Sequence, residues 1–181
     1  QISGARTDTS GAGGAAVQMS GQGSDGAGRG TTLEVTDSQF DRNAWAGIAV
    51  GGAHRVSILK GVFSHNGQCG VCFLDTSSGS VQDSTFTDDT VGLGATGSSR
   101  PTWVANTVTG GTVGLQLDGT AAPTIDGVTV SGASRAAIIF SGHSGGAITH
   151  ATCLRVSYGI VVSPTAAPTL GDNTCGVVRG K

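Results

Sequence analysis

Val56-Ser-Ile-Leu-Lys-Gly-Val-Phe-Ser-His-Asn-Gly-Gln-Cys-Gly-Val-Cys-Phe73 decides the fold, because its apolar pattern returns along the chain at a nearly fixed interval. Ile58 lies in a column with Ile2, Val35, Val81, Trp103, Ile125, Ile148 and Leu170, and from Val35 onward the steps are 23, 23, 22, 22, 23 and 22 residues. A second column sits five residues further on: Thr7, Phe40, Phe63, Phe86, Val108, Val130, Cys153 and Cys175. The third is a pair that follows a small residue: Val17/Met19, Ile48/Val50, Val71/Phe73, Leu93/Ala95, Leu115/Leu117, Ala137/Ile139 and Ile160/Val162. Each pair alternates with period two, the mark of a strand.

A repeat of this length, built from three short strands, cannot bury its apolar side alone, so copies must stack. Leucine-rich repeats share the length but need a Leu-x-x-Leu-x-Leu frame that is missing here. Left-handed hexapeptide helices need a six-residue period, also missing. The remaining solution is an all-β, right-handed parallel β-helix of about seven coils with three short parallel sheets. Residues 1–181 then form one domain, with 1–30 an irregular first coil holding a Gly-rich loop and 31–181 the regular coils.

Composition agrees with a narrow solenoid. The chain has 181 residues, 32 of them glycine, with 4% aromatics and a net charge of −2. That balance speaks against a nucleic-acid partner held by a basic field. No apolar run approaches the roughly 18 residues that would span a bilayer, so no membrane partner is expected. The start at Gln1, without an initiator Met or a basic and apolar leader, reads as a processed or excised form.

The phrases Val56 to Asn66 with Gly70 to Phe73, and Val81 to Phe86 with Gly92-Leu93, resemble the repeats of right-handed parallel β-helix proteins of the pectate-lyase-like superfamily. The resemblance covers nearly the whole chain and is generic, since the fold is shared by lyases, glycosidases, epimerases, sugar-binding proteins and protein-interaction domains. It implies that the small-residue-led pair forms the first sheet, the Ile58 column the second and the Phe column the third. It also implies stacked asparagines at Asn106 and Asn173 in the short turn between the second and third sheets. The substrate groove of such enzymes lies along the outer face of the first sheet and the turns beside it. A polysaccharide or oligosaccharide is the implied partner, and a secreted or cell-surface location goes with it.

Three constellations could carry chemistry. In the turn from the third sheet to the first, Arg42, His65 and Asp88 should stack, followed by Asn43, Asn66 and Asp89, with Trp45 nearby. His65 beside Asp88 or Asp89 suits general acid–base work, Arg42 suits a uronate carboxylate, and Trp45 offers a face to a sugar ring. These four, Arg42, His65, Asp88 and Asp89, are the candidate catalytic set; Trp45, Asn43, Asn66 and Gln116 are the candidate substrate-binding set. Asp88-Asp89 is similar to the paired-Asp motif of polygalacturonases, but Gly110-Gly111 stands where that family places a histidine motif.

The second constellation is Asp37, Lys60 and Asp83, read as a surface salt-bridge ladder; no cofactor is expected, with calcium needed only if the protein is a lyase. The third is cysteine. Cys153 and Cys175 fall in one inward column of neighbouring coils, where a disulfide or two stacked thiols would fit. Cys69 and Cys72 form a C-x-x-C, but four extended residues would hold the Cα atoms roughly 10 Å apart, so a direct bridge requires a bend. Gln116, Ile138 and Val161 are read as outward residues of the first sheet, and the Ile138/Val161 face or the terminal coils as a surface for homo-oligomer contacts. The expected function is therefore a carbohydrate-associated domain, with a polysaccharide lyase or hydrolase and an interaction rod as alternatives.

Overall fold

Each short strand carries one or two inward residues and cannot be stable singly, and its backbone pairs with strands of the neighbouring coils. The computed structural model describes residues 1–6, 13–21 and 30–180. The first sheet has eight strands: Val17–Met19, Ala46–Val50, Cys69–Phe73, Val91–Ala95, Val113–Leu117, Ala136–Phe140, Ile160–Val162 and Val177–Arg179. The second has seven: Thr32–Thr36, Arg55–Leu59, Ser78–Gln82, Arg100–Val104, Thr124–Asp126, Ala147–Thr149 and Thr169–Leu170. The third also has seven: Ile2–Ser3, Gln39–Asp41, Val62–Ser64, Thr85–Thr87, Thr107–Thr109, Thr129–Ser131 and Thr152–Leu154. The strands pair in parallel with their equivalents in the next coil, as Ile58 does with Val35 and Val81. Seven second-sheet strands enclose six full coils, with part of a coil beyond at each end.

The core is the set of columns read from the sequence. Phe40, Phe63 and Phe86 stack face to face, 5.0 and 4.9 Å between ring centres, and Val108 and Val130 continue the file. Trp103 takes the widest place in the second-sheet column, fully buried and tilted against Phe73 at 6.3 Å. Burying such side chains stabilises the fold by about 1.5–3 kcal/mol each. Gln1–Arg6 shows one departure: Ile2 pairs with Phe40 and so belongs to the third sheet, not to the Ile58 column. Thr7 and most of the Gly-rich loop, residues 22–29, lie outside the described residues.

A second correction concerns register in the first sheet. Leu115 pairs with Ile138 and Leu117 with Phe140, so the inward pair is Ile138/Phe140 and Ile139 faces outward beside Val161. The turn from Val130 to Ala137 is one residue longer than the turn from Val108 to Gly114. Ala137 takes the glycine's place and hides the shift. The outward apolar face expected at Ile138/Val161 is thus Ile139/Val161.

That glycine position explains the C-x-x-C. Ala46 pairs with Cys69, and Ile48 with Val71, while the residue between, Gly70 in this strand, is skipped by the ladder. A Cβ at Gly70 would stand 2.5 Å from the Phe86 ring, so the phenylalanine file and the first sheet can approach closely only over a glycine. The strand bends there, and Cys69 and Cys72 both face outward with their Cα atoms 5.8 Å apart, joined by a disulfide. The bend that bridging required is supplied by the core. Cys153 and Cys175 are bridged as well, with Cα atoms 5.0 Å apart across adjacent coils. On chain entropy the longer closure stabilises by about 3 kcal/mol and the short one by about 2 kcal/mol.

Candidate functional site: an outer groove and its polar turn

The turn from the third sheet to the first begins with a residue in the left-handed region, and this conformation sorts its side chains. Arg42, His65 and Asp88 have φ values of 53°, 54° and 54°, and their backbone N–H groups donate to Ser64, Thr87 and Thr109 of the next coil at 3.0, 3.0 and 2.9 Å. They stack as expected and point outward. Asp41, which the sequence reading did not single out, organises them. Its Oδ2 pairs with Arg42 Nη1 at 2.6 Å, and its Oδ1 accepts from Ser64 Oγ at 2.8 Å and lies 3.3 Å from His65 Nδ1. His65 Nε2 then lies 3.9 Å from Asp88 Oδ2. The Ser64 hydroxyl, with His65 and Arg42 adding to it, holds the Asp41 carboxyl below the ordinary carboxylate range.

The residues one place further on turn inward. Asn43, Asn66 and Asp89 are almost fully buried and form a hydrogen-bonded ladder up the inside of the turn. Asn66 Oδ1 accepts from the Asn43 backbone N–H at 3.2 Å and from Asn43 Nδ2 at 2.8 Å. Asp89 Oδ1 accepts from the Asn66 backbone and side chain, both at 2.8 Å. These three are rungs on the inside of the turn, whereas Arg42, His65 and Asp88 stand on its outside. Burial pushes the Asp89 carboxyl up to about 7, against the opposing hydrogen bonds from Asn66. Asp89 Oδ2 is buried with no partner.

The turn between the second and third sheets uses the same device where the sequence placed it. Asn106 Oδ1 accepts from Ser84 N at 3.1 Å and its Nδ2 donates to the Val81 carbonyl at 2.8 Å; Asn173 repeats this with Ala151 and Ile148. Outside that turn, Asp37, Lys60 and Asp83 share a left-handed position in successive coils, but among the described residues they form no ion pair. The ladder of charges is in register and unpaired. His150 occupies the same column further along, with Nδ1 2.7 Å from Asp126 Oδ1, which also accepts from Thr149 Oγ1 at 2.8 Å. The hydrogen bond to Asp126 raises the His150 imidazole, and the same bond lowers Asp126. This pair copies Asp41, Ser64 and His65, and the signal was available: an Asp followed 23 and 24 residues later by Ser-His or Thr-His.

Over the outer face of the first sheet runs a groove. Because the ladder skips Gly70 and its equivalents, two residues per coil face outward, and Ala46, Ala49, Cys69, Cys72, Val91, Val113, Ala136 and Ile139 form a second apolar cluster there. Its central part encloses about 230 Å³ between Gln68 on one rim and Leu74, Thr96 and Asp118 on the other, with Gln116 standing on the floor. Trp45 rests half-buried against the same cluster at one end. At the other, Arg135 and Tyr158 flank Ile139 and Val161. Of the residues singled out in the sequence, Gln116 thus lines the groove and Trp45 packs against the apolar cluster beyond its end. Among the described residues no three His, Cys, Asp or Glu side chains gather as potential metal ligands.

Compared with known families, residues 15–176 match the description "right handed beta helix region". No curated protein and no solved structure matches the chain significantly.

Proposed function

Since the chain belongs to the right-handed β-helix family, whose members use one scaffold for many purposes, we propose from the groove itself that this domain binds polysaccharide along the outer face of its first sheet. The observation that carries the reading is the pairing of an apolar floor with amide and carboxylate groups placed along the solenoid axis. A sugar ring presents C–H faces and a rim of hydroxyls, so it is complemented by apolar surface below and by groups that donate and accept at the side. Gln68 and Gln116 do both, Asp118 accepts, and Trp45 supplies a flat face. Trp45 and Gln116 are three coils apart, roughly 14 Å at the inter-coil spacing, a span suited to an extended oligosaccharide.

A glycan array probed with the intact chain tests this. Trp45→Ala and Gln116→Ala are expected to weaken any hit by about tenfold each, while Lys60→Ala on the far turn leaves it unchanged. Equal binding by all three variants would remove the groove from consideration.

A second reading is favoured by one contact set: His65 is held at Nδ1 by Asp41 while its Nε2 faces Asp88 and solvent. An imidazole so oriented can take a proton at Nε2, and Arg42 beside it can hold a uronate carboxylate. In that reading the protein is a polysaccharide lyase or glycoside hydrolase using Arg42, His65 and Asp88. Unsaturated-uronate absorbance on a substrate panel would reveal the lyase form, and its loss in His65→Ala would assign the base.

A further inference from the structure

The groove floor contains a feature that sugar binding does not explain. Cys69 and Cys72 are joined there, and both line the groove. Their strand is already held by ladders to Ala46–Val50 on one side and Val91–Ala95 on the other, so the bond is not needed to keep the strand in place. Its closure spans a sequence separation of 3, against 22 for Cys153–Cys175, which crosses between coils and constrains the chain far more.

Access to the sulfur is set by the next coil. Gly94 pairs with Cys72 in the outward column, its φ is not in the left-handed region, and nothing in the backbone calls for glycine. A Cβ at that position would be 3.4 Å from Cys69 Sγ, the nearest atom it would meet. The missing side chain leaves Cys69 facing the groove. Both cysteines are 4% exposed, so only a thiol entering the groove reaches them.

We propose that Cys69–Cys72 is a thiol-exchange site built into the groove floor, with a low-molecular-weight thiol as its co-reactant. The thiolate attacks Cys69 Sγ from the Gly94 side; a new S–S bond forms to Cys69, the Cys69–Cys72 bond breaks, and Cys72 leaves as a thiolate that takes up a proton from water. A second thiolate attacks the sulfur of the first in the mixed disulfide, releasing Cys69 as a thiol and the co-reactant as its oxidised dimer. Two electrons pass from the co-reactant to the protein. The fold is kept, because its ladders and the Cys153–Cys175 crosslink remain.

The test is stepwise reduction of the folded chain with glutathione and, separately, dithiothreitol, followed by alkylation and peptide mass analysis. Cys69 and Cys72 are expected to open at thiol concentrations about tenfold below those that open Cys153–Cys175, with circular dichroism unchanged. Gly94→Val, which covers Cys69 Sγ, should slow that opening about tenfold and leave Cys153–Cys175 as it was. Gly94→Ala, whose Cβ fits at contact distance, should slow it in the same direction if the valine variant folds poorly. Simultaneous opening of both bonds, loss of the fold on opening the first, or rates indifferent to both Gly94 variants would overturn the proposal.

Discussion

Two columns of side chains stand one residue apart in the same turn and have opposite fates. Arg42, His65 and Asp88 reach solvent, while Asn43, Asn66 and Asp89 are sealed inside. The left-handed residue makes the difference. Along a strand, neighbours alternate between faces; a residue with φ near 54° reverses the chain direction and sends its successor inward, where three backbone groups need partners. The outward column is free to carry chemistry, and the inward one is committed to holding the turn that presents it.

The sharpest way to break this comparison is Asp89. In the unfolded chain its carboxyl titrates at the ordinary value of 3.8, and in the fold at about 7 because it is buried. The folded state therefore keeps a proton that the unfolded chain has lost. Its stabilising contribution is whole below pH 3.8 and falls as pH rises, the loss becoming complete above about pH 7, with a total of about 4 kcal/mol. Asp89→Asn should abolish that slope and raise stability at pH 8, read from urea unfolding at a series of pH values. A variant as pH-sensitive as the parent would return Asp89 to the titrating, solvent-facing set.

Next in size is Asn66→Ala. It strips the acceptor from Asn43 and the side-chain donor from Asp89, leaving only the backbone N–H on that carboxylate, and should cost about 3 kcal/mol in the same unfolding experiment. His65→Ala, its outward neighbour, should cost about 1 kcal/mol or less, since its ion pairs are exposed. Equal losses at the two positions would mean that the turn does not sort its side chains as the structure shows. The smallest effect concerns the second Asp–His pair: in a proton NMR titration His150 should ionise above the ordinary imidazole value, and Asp126→Asn should bring it back.

These columns also show where sequence reading stops. The apolar columns and the closeness of Cys153 to Cys175 were legible because a fixed coil length turns periodicity into adjacency, and the Asn106 and Asn173 rungs through the resemblance to β-helix repeats. That Asn43 and Asn66 face inward was not legible, because polar identity in a turn says nothing of direction; only the backbone angle at the preceding residue does. Ile138 and Ile139 exchanged faces because Ala137 fills a position that glycine marks in most other coils. The bend that joins Cys69 to Cys72 depends on Phe86 pressing on Gly70, a contact 16 residues away in sequence that no local pattern contains.

The single-coil reach of the pairing has a consequence for how the molecule comes into being. Each strand finds its partners about one coil earlier and one coil later, so every loop closed during folding is short, and each finished coil is a template whose exposed edge orders the next. On the ribosome such a chain can grow as a folding front that advances with synthesis instead of waiting for its far end. The groove from Trp45 to Asp118 would then take shape while the coils that follow it are still being made, and its disulfide would close, or stay open, according to the thiols present at that moment.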